Sequence, residues 1–360
     1  MTGRPSSDGP DSGPGSLDEI LVFLKQALPA SWMRPEQVCL LEGDASDRRY
    51  YRIFLRPGAS GRSSSLVLMK LSAPWSPSAG REELPFVNIA RHLAEKGLPV
   101  PAVLLDASRD GFLLLEDAGD TTMQAYLASC TAADRRGLYK TAVELIVDLQ
   151  QRGSEPSSRP CYAHGYAFDV LTFLQELRFF LEHAVEGLWK RKISAQDRQE
   201  LEGYFEQVCR ETLESEEVFT HRDYHSRNLM VRPGRIVMLD FQDARMGPCT
   251  YDLASLVLDS YVALEPKEQE GLIDLYLDAC RRAGMDRGSP ESFRRVFVLT
   301  GLQRNLKAIG TFAFQARVRG VERYLPFVPR TVRSVRRALE RLPEYENLRR
   351  LLEAYVEGLG

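Results

Sequence analysis

Several features that mark particular classes of protein are absent from this sequence of 360 residues. Basic residues are not in excess: the formal net charge is -3 and the pI is about 6.1, so the chain lacks the positive surface typical of nucleic-acid-binding proteins. No apolar run approaches the length of a membrane-spanning helix. These absences predict a protein that binds neither nucleic acid nor a membrane.

Cysteine is sparse and scattered. The six cysteines form no Cys-x-x-Cys pair and no dense framework, which favours a reducing compartment, and we expect a cytoplasmic protein. Residues 1–15 are rich in Gly, Pro, Ser and Asp and lack the apolar core of a signal peptide. We expect this tail to be disordered.

The length and the hydrophobic content of 44% allow a substantial buried core and suggest two domains. We expect a disordered tail over 1–15 and a nucleotide-binding N-lobe over 16–117. A catalytic and substrate-binding C-lobe is expected over 118–360.

Chemically useful side chains are concentrated between residues 219 and 243. Asp223 and Asn228 have the Asp-x-x-x-x-Asn spacing of a kinase catalytic loop, in which the Asp accepts a proton from the acceptor hydroxyl and the Asn holds magnesium. Asp240, within Leu-Asp-Phe, is the candidate second metal ligand. The segment therefore predicts a phosphoryl-transfer site.

A hairpin is predicted where two short apolar runs, at 229–231 and 236–239, flank the sequence Arg-Pro-Gly-Arg. A turn centred on Gly234 would place Asn228 opposite Asp240, with Cβ atoms about 4.5 to 5.5 Å apart. Carboxylate and amide oxygens suit a hard cation. The hairpin is thus predicted to act as a metal clamp.

Two other interpretations of this segment compete. His221, Asp223 and His225 have metal-like spacing, but zinc requires a further ligand, and the other three histidines stand in no clustered motif. Alternatively, the Asp and Asn residues of an ordinary hairpin only cap turns. That interpretation does not explain why base, amide and carboxylate occur together in the order found in kinases.

The N-terminal third contains candidate nucleotide-binding residues. A loop of small polar residues that includes Ser46 could lay backbone N–H groups over phosphates, although a plain hairpin explains the pattern equally well. Lys70 ends a predicted strand, as the phosphate-binding lysine of kinases does. Glu82 or Glu83 is its candidate partner, although acids also suit a first helical turn. Backbone groups near Glu116 are candidates for reading adenine.

The pattern becomes helical from Thr121 onward, with helices predicted over 131–151 and 166–184. Asp252 is placed like the N-cap of a later helix. Only residues 243–250 separate the metal motif from that helix, which leaves no room for the activation segment through which protein kinases bind polypeptides. A protein substrate is therefore not expected.

Four charged residues are candidates for contacts with the substrate. Arg304 and Lys307 lie three residues apart on an otherwise apolar helix and can reach one anion. The alternative is that they point to solvent or pair with carboxylates at helix ends. Glu176 lies in an aromatic-rich helix, where such charges are usually solvated. Arg227 could add a positive charge near the transferred group.

Taken together, these segments resemble the aminoglycoside phosphotransferase-like kinases over about residues 42–330. The resemblance is closest to the branch of anomeric sugar kinases, which phosphorylate the C1 hydroxyl of N-acetylmuramate and N-acetylglucosamine in bacterial cell-wall recycling. It is carried by residues 43–50, 112–117, 221–230, 239–244, 247–253 and 301–310.

The resemblance implies an α+β protein of bilobal, protein-kinase-like fold, with a small antiparallel sheet in the N-lobe and a mostly helical C-lobe. It also implies ATP as donor, magnesium as metal and a small acceptor, here an amino sugar. Asp223 would then be the base, Asn228 and Asp240 the metal ligands, and Lys70 the residue on the inner phosphates. A kinase of another small substrate, such as an aminoglycoside or choline, is the alternative. The intact catalytic set argues against a non-catalytic pseudokinase.

Overall fold

The computed structural model describes residues 17–27, 35–41, 48–55 and 64–360. Two compact units make up the chain. Unit 1 comprises residues 1–76 and 103–117, and unit 2 comprises residues 77–102 and 118–360. Residues 77–102, assigned above to the N-lobe, therefore belong to the second unit. The predictions for the tail and for Ser46 lie outside the described residues.

Unit 1 combines a helix with an antiparallel sheet in the described part of the chain. Its elements are α1 (Leu17–Ala27), β1 (Pro35–Leu41), β2 (Arg49–Leu55), β3 (Ser64–Lys70), β4 (Val103–Ala107) and β5 (Phe112–Glu116). The strand order is β1-β2-β3-β5-β4. Alternate residues of β2, Tyr51, Ile53 and Leu55, are buried, because side chains alternate between the two faces of a strand. Ile20 and Leu24 of α1 pack on that face.

Unit 2 is mostly helical. Its helices are α2 (Pro85–Glu95), α3 (Met123–Leu127), α4 (Ala132–Gly153), α5 (Val170–Phe180), α6 (Ala195–Leu213), α7 (Tyr251–Val257), α8 (Pro266–Arg282), α9 (Pro290–Arg317), α10 (Val328–Glu340) and α11 (Glu346–Tyr355). Its strands are β6 (Glu217–Thr220), β7 (Leu229–Arg232), β8 (Arg235–Met238) and β9 (Arg245–Pro248). The strands form two antiparallel pairs, β6 with β9 and β7 with β8. The predicted α+β class is confirmed.

Helix α9 is central to unit 2, where it packs against α5, α6, α7 and α10. Gly310 permits the contact with α5, because a Cβ atom at this position would lie 2.7 Å from the Cα of Phe180. Backbone atoms cannot yield at that distance as the end of a flexible side chain can. Through this contact, the charged residues of α9 are brought towards those of α5.

Helix boundaries differ from the predictions at two places. Asp169 is the N-cap of α5 and accepts a hydrogen bond from Thr172 N, so the helix predicted from residue 166 begins later. The prediction of Asp252 as an N-cap is wrong, since α7 begins at Tyr251 and Thr250 occupies the N-cap position. Among the described helices, none has both the length and the apolar character needed to cross a bilayer.

Candidate active site

The predicted catalytic loop connects β6 to β7 and carries Asp223 and Asn228. Arg222 enters the loop with a φ of +79°, a conformation that non-glycine residues rarely adopt. The buried carboxylate of Asp252 holds it there by accepting the backbone N–H of His221 at 2.6 Å and of Arg222 at 3.0 Å. Asp252 thus holds the backbone of the candidate catalytic loop, a role that the sequence analysis missed. Its position in a first helical turn indicated helix capping. Nothing in the sequence indicated its contact with His221 and Arg222, which lie about 30 residues earlier.

Asp223 is partly exposed and lies among positive charges. Its Oδ1 is 3.9 Å from Nζ of Lys307. Partial burial raises the pKa of Asp223, but Lys307, Arg222 and His225 lower it by more, so this pKa lies well below its usual range. Asp223 is therefore ionised at neutral pH and able to accept a hydrogen bond from a substrate hydroxyl.

Glu176 of α5 connects two of these cations. Its Oε1 accepts a hydrogen bond from Arg222 at 3.3 Å and lies 3.4 Å from Nζ of Lys307, while its Oε2 accepts from Gln303 at 2.8 Å. Burial raises the pKa of Glu176, whereas Lys307 and Arg222 lower it, with a net lowering. Lys307 thus lies between two carboxylates. This position favours a role within the protein for both Glu176 and Lys307 over direct contact with a substrate anion.

Arg304 and Arg227 are held against aromatic rings. The guanidinium of Arg304 lies 4.9 Å from the ring centre of Tyr251. That of Arg227 lies 3.9 Å from the ring centre of Tyr261, and its Nε donates to Gln124 Oε1 at 2.9 Å. Cations over aromatic faces are stabilised by the ring quadrupole. These contacts fix the orientation of both side chains.

The hairpin of β7 and β8 forms as predicted, but the predicted pairing of Asn228 with Asp240 is wrong by one residue. Asn228 lies opposite Leu239, whose backbone N–H donates to the Asn228 carbonyl at 2.8 Å. The turn is centred between Pro233 and Gly234 instead of on Gly234. Asp240 has a φ of +63°, so the chain leaves the strand direction at this residue.

The residues present nevertheless fit a hard divalent cation, which prefers oxygen ligands. Nδ2 of Asn228 donates to the Asp223 carbonyl at 3.0 Å, which directs the amide oxygen away from that carbonyl. Asp240 is exposed, but nearby protein atoms that displace water from its carboxylate raise its pKa. A hydrogen bond from Gln242 lowers this pKa, and the charges of Asp223 and Asp243 raise it, with a net increase. Crowded carboxylates of this kind are stabilised by a bound cation.

Lys70, in unit 1, has a different partner from the predicted one. Its ammonium lies 2.5 Å from a carboxylate oxygen of Glu19 on α1. Glu83 instead accepts a hydrogen bond from Arg91 at 3.0 Å, and neither Glu82 nor Glu83 opens α2, which begins at Pro85. The predicted acidic partner from this segment is therefore replaced by one from the N-terminal helix.

Glu116 is the last residue of β5 and pairs with Leu66 of β3 in the antiparallel ladder. Its assignment as the position whose backbone reads adenine stays a prediction. Ser46, the third nucleotide-binding candidate, lies in a part of the chain that the structure does not describe.

A cluster of metal-type ligands, not recognised in the sequence, occurs elsewhere in unit 2. Potential ligand atoms of His92, Cys161 and His164 lie within 4.8 Å of one another. Both imidazoles donate Nε2–H to the carbonyl of Gly153, at 2.7 and 2.9 Å. Since Gly153 ends α4, the two rings satisfy a helix-terminal carbonyl. The long sequence separation of His92 from the other two residues explains why no motif was visible.

The sequence is similar to a known family of enzymes and to several characterised kinases. The family described as "Phosphotransferase enzyme family" matches residues 37–290. The N-acetylmuramate/N-acetylglucosamine kinase of Pseudomonas aeruginosa is 32% identical over 350 residues, which cover 95% of each chain. The protein of the same name from Neisseria meningitidis is 32% identical over 317 residues, covering 87% of this chain and 89% of that protein.

Solved structures show the same fold at lower identity. A choline/ethanolamine kinase family protein from Mesorhizobium loti has a TM-score of 0.57 at 18% identity, covering 95% of this chain and 99% of that one. Amicoumacin kinase, solved with AMP-PNP and Ca²⁺, has a TM-score of 0.59 at 16% identity, covering 88% and 93%. The predicted protein-kinase-like fold is confirmed. Because the family match spans Asp223, Asn228 and Asp240 and the relatives cover nearly the whole sequence, the chain belongs to the phosphotransferase enzyme family.

Proposed function

We propose that this protein is an ATP-dependent kinase that phosphorylates the anomeric hydroxyl of N-acetylmuramate and N-acetylglucosamine. Relatives named for these two sugars support the substrate class. The observation that carries the chemistry is the environment of Asp223, an ionised and partly exposed carboxylate 3.9 Å from Lys307, on the same loop as Asn228.

Asp223 would accept a hydrogen bond from the sugar hydroxyl and then its proton, as the bond from the sugar oxygen to the γ-phosphorus of ATP forms and the bond from that phosphorus to the bridging oxygen breaks, releasing ADP. The proton moves late in the reaction, because the low pKa of Asp223 makes it a poor base until bonding to phosphorus acidifies the hydroxyl. Lys307 and Glu176 would keep the carboxylate ionised and oriented. This role requires no contact between Lys307 and the sugar.

Asn228 and Asp240 would hold Mg²⁺ through their side-chain oxygen atoms. Bound there, the metal would neutralise charge on the phosphates, which carboxylates cannot do by themselves. The hydrogen bond from Asn228 to the Asp223 carbonyl ties the orientation of this ligand to the segment that carries the base.

Unit 1 is assigned the nucleotide-binding residues. Lys70 would bind the inner phosphates and backbone groups near Glu116 the adenine, and Ser46 retains its predicted contact with phosphate. In the structure the charge of Lys70 is balanced by Glu19. Phosphate oxygens would take the place of that carboxylate when nucleotide binds.

A cationic acceptor, such as an aminoglycoside or choline, is the alternative substrate class. The cluster of Arg222, Arg304 and Lys307 near Asp223 disfavours it, because like charges repel in a partly buried site. Arg227 lies on the same loop but is engaged by an aromatic ring.

The deciding experiment is a coupled assay of ATP consumption over amino sugars, neutral sugars, aminoglycosides and choline, followed by phosphorus NMR of the product. We expect turnover of the two N-acetyl sugars and phosphate on the anomeric oxygen. Turnover of aminoglycosides with neither N-acetyl sugar would refute the proposed substrate. Phosphate on another hydroxyl would reject the anomeric mechanism.

A further inference from the structure

Arg245 is a cation beside the catalytic loop that forms no salt bridge within the described residues. It begins β9 and pairs with Thr220, the last residue of β6. Its Nε makes a long contact of 3.4 Å with the backbone oxygen of Asp243, and its guanidinium lies 4.9 Å from the ring centre of Phe168. Over the described chain, its two terminal nitrogens have no protein acceptor.

Two neighbouring cations, in contrast to Arg245, are paired with a carboxylate. Arg222 and Lys307 share the carboxylate of Glu176, and burial lowers their pKa values less than the nearby acidic groups raise them. For Arg245, burial and then the positive charge of Arg222 lower the pKa. When the surroundings of a group destabilise its charged form, a counter-ion that binds beside it stabilises that form strongly.

An aromatic pair links Arg245 to the surroundings of the base. The rings of Phe168 and Tyr251 have centres 4.6 Å apart. Arg245 lies against Phe168, and Arg304 lies against Tyr251. The Tyr251 hydroxyl is 3.4 Å from Nζ of Lys307, which in turn approaches Asp223. Arg245 therefore belongs to the same side-chain cluster as the base.

We propose that Arg245 recognises the lactyl carboxylate of N-acetylmuramate and so sets the preference between the two sugars. This inference rests on the proposed function, because N-acetylglucosamine lacks that group. A guanidinium presents paired N–H donors in the geometry that a carboxylate accepts. The sequence suggested that Lys307 binds the anion of the substrate. We assign this contact to Arg245 instead, because the charge of Lys307 is already balanced by Glu176 and Asp223.

Two substitutions at this position separate charge from packing. Arg245→Met removes the charge but keeps an unbranched chain that can cover Phe168, whereas Arg245→Lys keeps the charge without the paired donors. Arg210→Met is the matched control, because Arg210 is an exposed residue of α6 whose ion pair is with Glu206 of the same helix. The substrates are N-acetylmuramate, its lactyl methyl ester and N-acetylglucosamine.

In Arg245→Met we expect the KM for N-acetylmuramate to rise about tenfold or more, while the KM values for the ester and for N-acetylglucosamine change less than about twofold. Arg245→Lys should lie between wild type and Arg245→Met, and Arg210→Met should match wild type. The kcat values should stay near those of wild type in all variants.

Equal rises in KM for both sugars, or a fall in kcat with both, would give Arg245 a structural role and overturn the inference. Calorimetric titration of N-acetylmuramate without ATP provides a second readout, and thermal unfolding identifies a variant that has lost its fold. An Arg245→Met enzyme that discriminates between the sugars as wild type does refutes the inference alone. A wild-type enzyme that phosphorylates neither sugar refutes the proposed function, and the inference with it.

Discussion

Asp223, in the loop between β6 and β7, lies near several cations, whereas the charges that raise the pKa of Asp240, after β8, are those of two other carboxylates, Asp223 and Asp243. Lys307 and Arg222 lower the pKa of Asp223 in spite of its burial. Desolvation by neighbouring protein atoms and the charges of Asp223 and Asp243 raise the pKa of Asp240, although the residue is exposed. Side chains of the protein thus balance the charge of Asp223, whereas the surroundings of Asp240 disfavour its charged form. This contrast supports the proposal that Asp223 is the proton acceptor and Asp240 a metal ligand.

The two segments also differ in how their backbones are held. Arg222, which precedes Asp223, is in the left-handed region and is fixed by two hydrogen bonds to Asp252. Asp240 is itself in that region, and its carboxylate accepts a hydrogen bond from Gln242. Such conformations cost on the order of 1–3 kcal/mol and persist where the surroundings impose them. The segment that carries Asp223 is thus held by a helix distant in sequence, and Asp240 by a hydrogen bond within its own segment.

The most severe test of this comparison is Asp223→Asn. The amide has nearly the same shape but cannot take the proton, so kcat should fall by about 10² to 10⁴-fold while ATP binding and folding stay near those of wild type. Steady-state kinetics and nucleotide titration measure both. An unchanged kcat would show that Asp223 is not the base.

Asp252→Ala tests whether the distant anchor is needed. It leaves the buried N–H groups of His221 and Arg222 without an acceptor, and we expect the free energy of unfolding to fall by about 2 to 4 kcal/mol. Urea denaturation measures the loss. The control is Asp278→Ala, which removes an exposed ion pair with Arg281 and should cost less than about 1 kcal/mol. Equal losses in the two variants would contradict the anchoring role.

Asp240→Ala tests the other half of the comparison. Removing this ligand should weaken binding of Mg-ATP by at least the roughly 10- to 100-fold that loss of an outer-shell residue costs, with metal-dependent turnover falling in parallel. Binding of metal-free ATP should change much less. Titrations with and without Mg²⁺ decide the point, and equal weakening of the two forms would mean that Asp240 is not a ligand.

Lys307→Met should have the smallest effect. It should reduce the difference in pKa between Asp223 and Asp240. Because Lys307 lowers the pKa of Asp223, its loss raises that pKa, so Asp223 becomes protonated at a higher pH than in wild type. We expect the acid limb of kcat to lie at higher pH in Lys307→Met than in wild type. Both sugars should be affected alike.

The pH profile of kcat measures this shift, and Lys267→Met, at an exposed position of α8, is the control. A rise in KM confined to N-acetylmuramate, with the pH profile unchanged, would instead restore the sequence-based hypothesis that Lys307 reads the lactyl carboxylate.

Local patterns led to a correct prediction where the spacing along the chain is short. The hairpin of β7 and β8 could be recognised because its two apolar runs lie within a few residues of each other. Asp223 and Asn228 could be named as candidates for the same reason, and their roles stay predictions. The register of that hairpin was wrong by one residue, because it depends on whether the turn contains two residues or three. In a strand, where successive side chains alternate between faces, a shift of one residue changes which side chains face each other.

The sequence by itself determined the family and the kinase-like fold class, and it named the candidate catalytic residues, because each depends on motifs of residue types at short, fixed spacing. Only the tertiary structure decided which charges are balanced. Glu176 pairs with Lys307 because α5 packs on α9. Asp252 accepts a hydrogen bond from His221 because the first turn of α7 lies against the loop between β6 and β7. These contacts and the burial that shifts the pKa values arise from packing of the whole core, which residue spacing along the chain does not specify.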